Sequence, residues 1–210
     1  MGPRRLDERT RRRLCGHGRG HAANDRPRLS LHDEANGVTV HRIRPLPTGT
    51  LQGDFRLAPG LIDETREALF GFFEAGRRDG GHEGICLWAG IEQPSITTFD
   101  AVIVPAASHG PRGVFVTAGQ FADAVAEAHD SGLGILAQVH SHPGWDTRHS
   151  DGDDELIVMP FERMLSLVAP FYGRTVTSIG DFSVHQFQDH RWVLCSRNSV
   201  FAGIRTESVE

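Results

Sequence analysis

The feature that most constrains this chain is a short segment of mostly apolar residues that runs directly into two histidines. Residues 133–139 are compatible with a β-strand, and His140-Ser141-His142-Pro143 follows without a break. Residues i and i+2 of a strand point to the same side, so His140 and His142 would direct two imidazoles at one point. We expect the strand to end at Pro143, because proline cannot donate a ladder hydrogen bond.

A hydroxyl and a carboxylate follow this histidine pair. After a polar loop the chain carries Ser150 and Asp153, and Asp153 would bring a third ligand to the two imidazoles. Three protein ligands and a water are typical of catalytic zinc, whereas four protein ligands close a structural site. In the alternative interpretation, Ser150 and Asp153 form a capping box at a helix start. The two interpretations are compatible, since such a helix would hold Asp153 in place.

The spacing resembles the motif of the JAMM (MPN+) zinc metalloproteases: His-Ser/Thr-His, seven residues, Ser, two residues, Asp. Every position of that motif is filled here, in register. The family also has a glutamate near the start of an upstream strand, and Glu83 fits because an apolar segment follows it. The other upstream acids, Glu74, Asp79 and Glu92, are more typical of solvated helix or loop charges. The resemblance covers roughly residues 55–190.

The resemblance carries expectations for the fold and for the roles of these residues. It implies an α/β (α+β) chain with the JAMM/MPN (cytidine-deaminase-like) fold, in which a curved, mixed, mostly antiparallel sheet is flanked by helices. It also implies one Zn²⁺ per chain, with a bound catalytic water, ligated by His140, His142 and Asp153. Glu83 would then act as general base, and Ser150 would donate a hydrogen bond to the developing oxyanion.

The substrate and partners are likewise expected from the resemblance. JAMM proteases cleave after the C-terminal glycine of ubiquitin or a ubiquitin-like protein, so we expect such a protein and its conjugates as substrates. The motif segment is most similar to standalone bacterial JAB proteins, which are often encoded with E1-like and E2-like proteins, including anti-phage operons of the Bil and CBASS kinds. The open alternatives are a processing peptidase for a sulfur-carrier protein, a phage-type cell-wall peptidase, a catalytically silent MPN scaffold, and a nucleic-acid protein as proposed for the RadC group.

The first part of the chain differs in composition from the rest. Residues 1–28 contain nine arginines and three acids, a net charge of about +6, so the remainder carries about −11 of the total of −5. We expect a disordered basic arm at 1–30, without the apolar core of a secretion signal. A turn-rich extension at 31–54, a metalloprotease domain at 55–195 and a tail at 196–210 would follow. The acidic remainder argues against a nucleic-acid partner.

The hydrophobic pattern predicts alternating helices and strands. We expect helices at 59–78, 117–129 and 150–158, and strands at 38–43, 84–90, 95–104, 133–142, 164–168 and 182–187. Residues 197–210 carry no clear pattern.

The cysteines and the hydropathy suit a cytoplasmic chain. Cys15, Cys86 and Cys195 are odd in number and widely spaced, so they do not form a disulfide framework, and they are compatible with a reducing compartment. We expect Cys86 to be a small buried hydrophobe. No apolar stretch has the length of a membrane span, so a membrane partner is not expected. We expect His82 to be exposed.

Overall fold

The computed structural model describes residues 45–150, 152, 153, 156 and 160–207. The α-helices within these residues are α1 (Leu61–Ala75), α2 (Ala118–Asp130) and α3 (Arg197–Gly203). The strands are β1 (Thr48–Gly49), β2 (Phe55–Leu57), β3 (Ile85–Glu92), β4 (Thr97–Ile103), β5 (Ser108–Gly110), β6 (Gly113–Phe115), β7 (Gly134–Ser141), β8 (Leu165–Ala169), β9 (Ser183–Gln188), β10 (Arg191–Cys195) and β11 (Ile204–Thr206). Short 3-10 turns lie at Arg77–Asp79, Phe171–Gly173 and Ile179–Asp181.

Nine of these strands form one mixed sheet, in the order β1-β10-β9-β8-β7-β3-β4-β2-β11, and β5 and β6 form a separate hairpin. Strand β3 is antiparallel to both β4 and β7, whereas β7 and β8 run parallel. The expected α+β class and mixed sheet are confirmed. Among the described strands of the large sheet, antiparallel and parallel pairs occur in equal number.

The two faces of the sheet are covered by different helices, because successive side chains of a strand point to opposite sides. On one face, Cys86 and Trp88 of β3 pack with Leu69 of α1 in the main core. On the other face, Leu87 packs with Ala124 of α2. Both helices therefore rest on the central strands β3 and β7, and these strands lead towards the predicted metal ligands.

The start of each helix follows from its local sequence. The chain enters α1 through Gly60, whose φ of 88° is readily adopted only by glycine. Helix α2 opens with a capping box, in which the Gln120 amide donates to the Thr117 hydroxyl and the Thr117 amide donates to the Gln120 side chain. The predicted helix start at Thr117 is confirmed.

Segments on either side of the predicted domain contribute more to the sheet than the sequence indicated. Strand β1 pairs with β10, and β11 pairs with β2, so the sheet extends past both limits of the predicted 55–195 domain. Strand β10, helix α3 and strand β11 were not predicted, since short segments carry too few residues for a clear period.

Some predicted segments fall outside the described residues. These are the basic arm 1–30, the strand 38–43 and the first part of the turn-rich extension 31–54. In the predicted helix 150–158, Gly152 and Asp153 are helical, and most of its other residues lie outside the described part. No helix in the described part of the chain is both long and apolar enough to cross a membrane.

Candidate metal centre

Strand β7 brings both histidines of the motif to the sheet face that carries α2. His140 lies between Ile85 of β3 and Val168 of β8 in the strand register, and it is fully buried. The chain continues the same path to His142, whose amide donates to the Ala169 carbonyl at 2.8 Å. The predicted i and i+2 geometry is therefore present at the end of a central strand.

The ligand atoms of His140, His142 and Asp153 form a compact triangle. The two Nε2 atoms are 3.3 Å apart, and the Asp153 carboxylate oxygens lie 3.2 Å from His140 Nε2 and 3.4 Å from His142 Nε2. Tetrahedral zinc with bonds of about 2.0–2.1 Å separates its ligand atoms by about 3.3–3.4 Å. The spacing and the nitrogen and oxygen donors fit one zinc ion, and these three residues are the one such cluster among the described residues.

The hydrogen bonding of the imidazoles suits metal ligation through Nε2. His142 Nδ1 lies 2.7 Å from the Asp146 carbonyl oxygen, which only accepts, so Nδ1 carries the proton and Nε2 keeps its lone pair. His140 Nδ1 is buried and has no hydrogen-bond partner among the described groups. In the neutral His142 ring, Nε2 is therefore the nitrogen left for a cation, and His140 Nε2 lies 3.3 Å from it.

Asp153 reaches the histidines from the start of a helical turn. The Ser150 amide donates to Asp153 Oδ2 at 2.6 Å, and the Asp153 amide lies 3.3 Å from Ser150 Oγ. The capping box and the metal interpretation of this motif are thus compatible in the structure. The cap fixes the Asp153 backbone while its carboxylate faces the two imidazoles.

Glu83 lies on the neighbouring strand path, next to the triangle. The Gly84 amide donates to Ser141 Oγ, and the Ser141 amide donates to the Gly84 carbonyl, both at 3.0 Å. The register of β3 and β7 pairs Ile85 with His140, and continuing it by two residues puts Glu83 opposite His142. The backbone at Gly84 passes close to the Phe72 ring of α1. A Cβ at this position would lie 2.6 Å from that ring, so residue 84 must be glycine.

Burial and neighbouring charges together set the ionisation of these groups. Burial raises the pKa of the Glu83 carboxyl from 4.5 to about 7, with Asp153 adding to the rise and His142 opposing it. Burial also acts to raise the pKa of Asp153, but the neighbouring His140 and His142 outweigh it and hold that pKa well below its usual range. The pKa of His140 is lowered by burial. An ionised Asp153 and a neutral His140 are the forms in which both residues ligate metals.

The remaining upstream acids do not join the triangle. Glu74 pairs with Arg77, and Glu92 pairs with Arg163. Asp79 lies 3.4 Å from His82 Nε2. The expectation that His82 is exposed was wrong: its side chain is only 15% exposed, because it packs against Gly76 and against the His109 ring.

The structure brings further residues to this region that the sequence did not indicate. His149 is buried beside Ser166 and His185, and these contacts join segments far apart in the chain. Tyr172 donates its amide to the His142 carbonyl at 2.8 Å and has a φ of 59°, a conformation uncommon for a residue other than glycine. Neither residue has a sequence signal, since their neighbours are set by tertiary contacts.

Comparison with known proteins found a relative that matches only part of this chain. No protein-family model matches the chain. The chain is 36% identical over 98 residues to a probable metalloprotease of Sinorhizobium fredii; the match covers 45% of this chain and 60% of that protein. The chain thus spans less than two thirds of the length of this relative.

Two solved structures show similarity at low sequence identity. The solution structure of protein DSY2949 from Desulfitobacterium hafniense is 14% identical with a TM-score of 0.54, and the match covers 74% of this chain and 94% of that one. A JAB1/MPN domain protein from Archaeoglobus fulgidus is 17% identical with a TM-score of 0.40, over 68% and 96% of the two chains. The first similarity supports a shared fold, whereas the second score is too low to establish one.

Proposed function

We propose that this chain is a zinc-dependent peptidase of the JAMM type, which cleaves after the C-terminal glycine of a ubiquitin-like protein. The observation that carries the proposal is the triangle of His140, His142 and Asp153, with Glu83 on the adjacent strand path. The similarity to a probable metalloprotease supports the peptidase part. The ubiquitin-like substrate, and E1-like and E2-like partners of an anti-phage conjugation system, rest on the resemblance of the motif.

A zinc ion held by His140, His142 and Asp153 would lower the pKa of a water and polarise the scissile carbonyl. Glu83 would accept a proton from the attacking water and pass it to the leaving amine. Burial raises the pKa of this carboxyl to about 7 in the metal-free protein. A bound zinc ion would lower that pKa and so favour the carboxylate form, which is the form that accepts a proton. Ser150 accepts a hydrogen bond from the Asp153 amide through Oγ and keeps its own hydrogen to donate to the oxyanion.

The surface beside this centre suits a polypeptide substrate. Trp145, three residues after His142, is 78% exposed, and Phe171 is 45% exposed. The segments that carry them lie side by side, since the Phe171 amide donates to the Gly144 carbonyl at 3.0 Å. Exposed aromatic side chains next to a site are typical of protein-binding surfaces.

The proposal is tested with fusions of candidate ubiquitin-like proteins, and of sulfur-carrier proteins, to a reporter through the C-terminal glycine. The zinc content of the purified protein is measured by mass spectrometry in parallel. Wild type should hold about one zinc per chain and release the reporter. Glu83→Gln should keep the zinc and lose cleavage, whereas Glu67→Gln, a matched change at an exposed position of α1, should retain both.

The outcomes separate the alternatives. Cleavage only of the sulfur-carrier fusions would favour the processing peptidase. Zinc-loaded wild type that cleaves none of the fusions would remove the support for a ubiquitin-like substrate. Absence of zinc after purification with added metal, together with absence of cleavage, would refute the enzyme and favour a scaffold.

A further inference from the structure

The loop between the second histidine and the carboxylate, residues 143–150, contains one buried residue, His149. It is 2% exposed, and its Nε2 lies 2.9 Å from the Ser166 hydroxyl of β8. Histidine is usually only partly buried, and it needs a partner for its polar atoms when buried. The contact with Ser166 therefore anchors the end of this loop to a central strand.

Ser166 anchors this contact inside the sheet. It is fully buried, and its hydroxyl accepts a hydrogen bond of 2.9 Å from the side-chain nitrogen Nε2 of Gln138 on β7. Because that nitrogen only donates, Ser166 keeps its own proton for His149 Nε2. His149 is thereby connected to the two strands that carry or flank the metal ligands.

Neighbouring rings also pack against the His149 side chain. Its ring centroid lies 4.2 Å from that of His185 and 5.7 Å from that of Trp192. The His140 ring is 6.0 Å away on the metal side. The buried His149 imidazole is thus packed among three rings, one of which belongs to the candidate ligand His140.

The position of His149 in the chain links its contact with Ser166 to the position of the ligand Asp153. It directly precedes Ser150, whose cap holds Asp153. The start of the loop is held separately, by the His142 contact to the Asp146 carbonyl and by the Asp146 ion pair with Arg148. A ligand supplied by a loop must be held to within about 0.5 Å of its productive position.

We propose that His149 is a positioning residue of the metal centre, which uses its contact with Ser166 to close the 143–150 loop so that Asp153 reaches His140 and His142. This inference rests on the metal centre of the proposed function and deepens it. It does not depend on the identity of the substrate, so the two can fail separately.

The test is titration of the metal-free protein with Zn²⁺ and with Co²⁺, whose visible spectrum reports the coordination geometry. Relative to wild type, His149→Phe keeps an aromatic ring at this position and loses the hydrogen bond to the Ser166 hydroxyl. Its metal affinity should fall about 10- to 100-fold, the usual effect of changing an outer partner of a metal ligand, and its Co²⁺ bands should weaken. His149→Gln can still bond to Ser166 and should recover most of the affinity. His129→Phe, at an exposed position of α2, should match wild type.

A second variant and a second readout separate positioning from folding. Ser166→Ala leaves the loop sequence unchanged, and it should weaken metal binding in the same direction as His149→Phe. Unfolding of each metal-free variant by denaturant measures its structural contribution. Lower stability with wild-type metal affinity and Co²⁺ spectrum in both variants would overturn the proposal. Wild type that binds neither metal would refute it together with the proposed function, whereas metal binding without cleavage of the fusions would count against the proposed substrate alone.

Discussion

The raised pKa of Glu83 predicts a specific pH dependence for the stability of the metal-free protein. Its carboxyl titrates at about 7 in the folded state, against 4.5 as the ordinary value. One pKa unit corresponds to about 1.36 kcal/mol, so the shift amounts to about 3 kcal/mol. Replacing the group by a neutral isostere, Glu83→Gln, should remove this dependence.

The sign follows from which state binds the proton more tightly. Below about pH 4.5 both states of wild type are protonated at this position, so wild type and Glu83→Gln should have similar free energies of unfolding. As the pH rises towards 7, the unfolded state releases its proton first, and the folded wild type loses stability. Above pH 7 the variant should be the more stable protein by up to about 3 kcal/mol.

The measurement is urea unfolding of both proteins from pH 4 to pH 9 in the presence of EDTA, so that no cation compensates the carboxylate. Glu67→Gln, the same change at an exposed position of α1, is the control for the substitution itself. A constant difference between wild type and Glu83→Gln, or a variant that becomes relatively less stable at high pH, would refute the raised pKa of Glu83 in the folded state.

Further predictions concern the metal ligands and the sheet. Asp153→Asn should lower zinc affinity more than the roughly 10- to 100-fold expected for outer partners, measured by competition with a chelating dye, and an unchanged affinity would remove Asp153 from the ligand set. Zinc at about 1,000 times its dissociation constant should raise the free energy of unfolding by about 4 kcal/mol, measured by urea unfolding with and without EDTA; an equal stability in both would argue against a folded-state site. Gly90→Ala should destabilise by about 3 kcal/mol or more, because its Cβ would lie 1.7 Å from the Thr98 carbonyl oxygen. Gly71→Ala has open space in α1 and should stabilise by about 0.5–1 kcal/mol, so equal thermal shifts for the two glycine variants would contradict the packing argument.

Local sequence was sufficient to predict the elements that surround the site. The apolar segment before His140 is long enough to show its strand character, and Thr117 with Gln120 marks a helix start through contacts three residues apart. The predicted capping box of Ser150 and Asp153 is present for the same reason. These features depend on neighbours in the chain, which is why a single sequence reveals them.

The features that the sequence missed depend on distant partners. Strand β11 exists because Ile204 lies beside Phe55, and three residues carry no period of their own. His82 was expected at the surface, but the open space over Gly76 accommodates its ring. His149 packs on His185, and no spacing rule connects these positions.

The sequence by itself determined the candidate ligands and their order, since the imidazole pair, the hydroxyl and the carboxylate follow one another within 14 residues, from His140 to Asp153. It also indicated an α+β chain through the alternation of its apolar patterns. Only the tertiary structure decided that Glu83 lies opposite His142, because that depends on the register between β3 and β7. It likewise decided the ionisation of Glu83, since desolvation is produced by residues packed around the carboxyl and not by its neighbours in the chain.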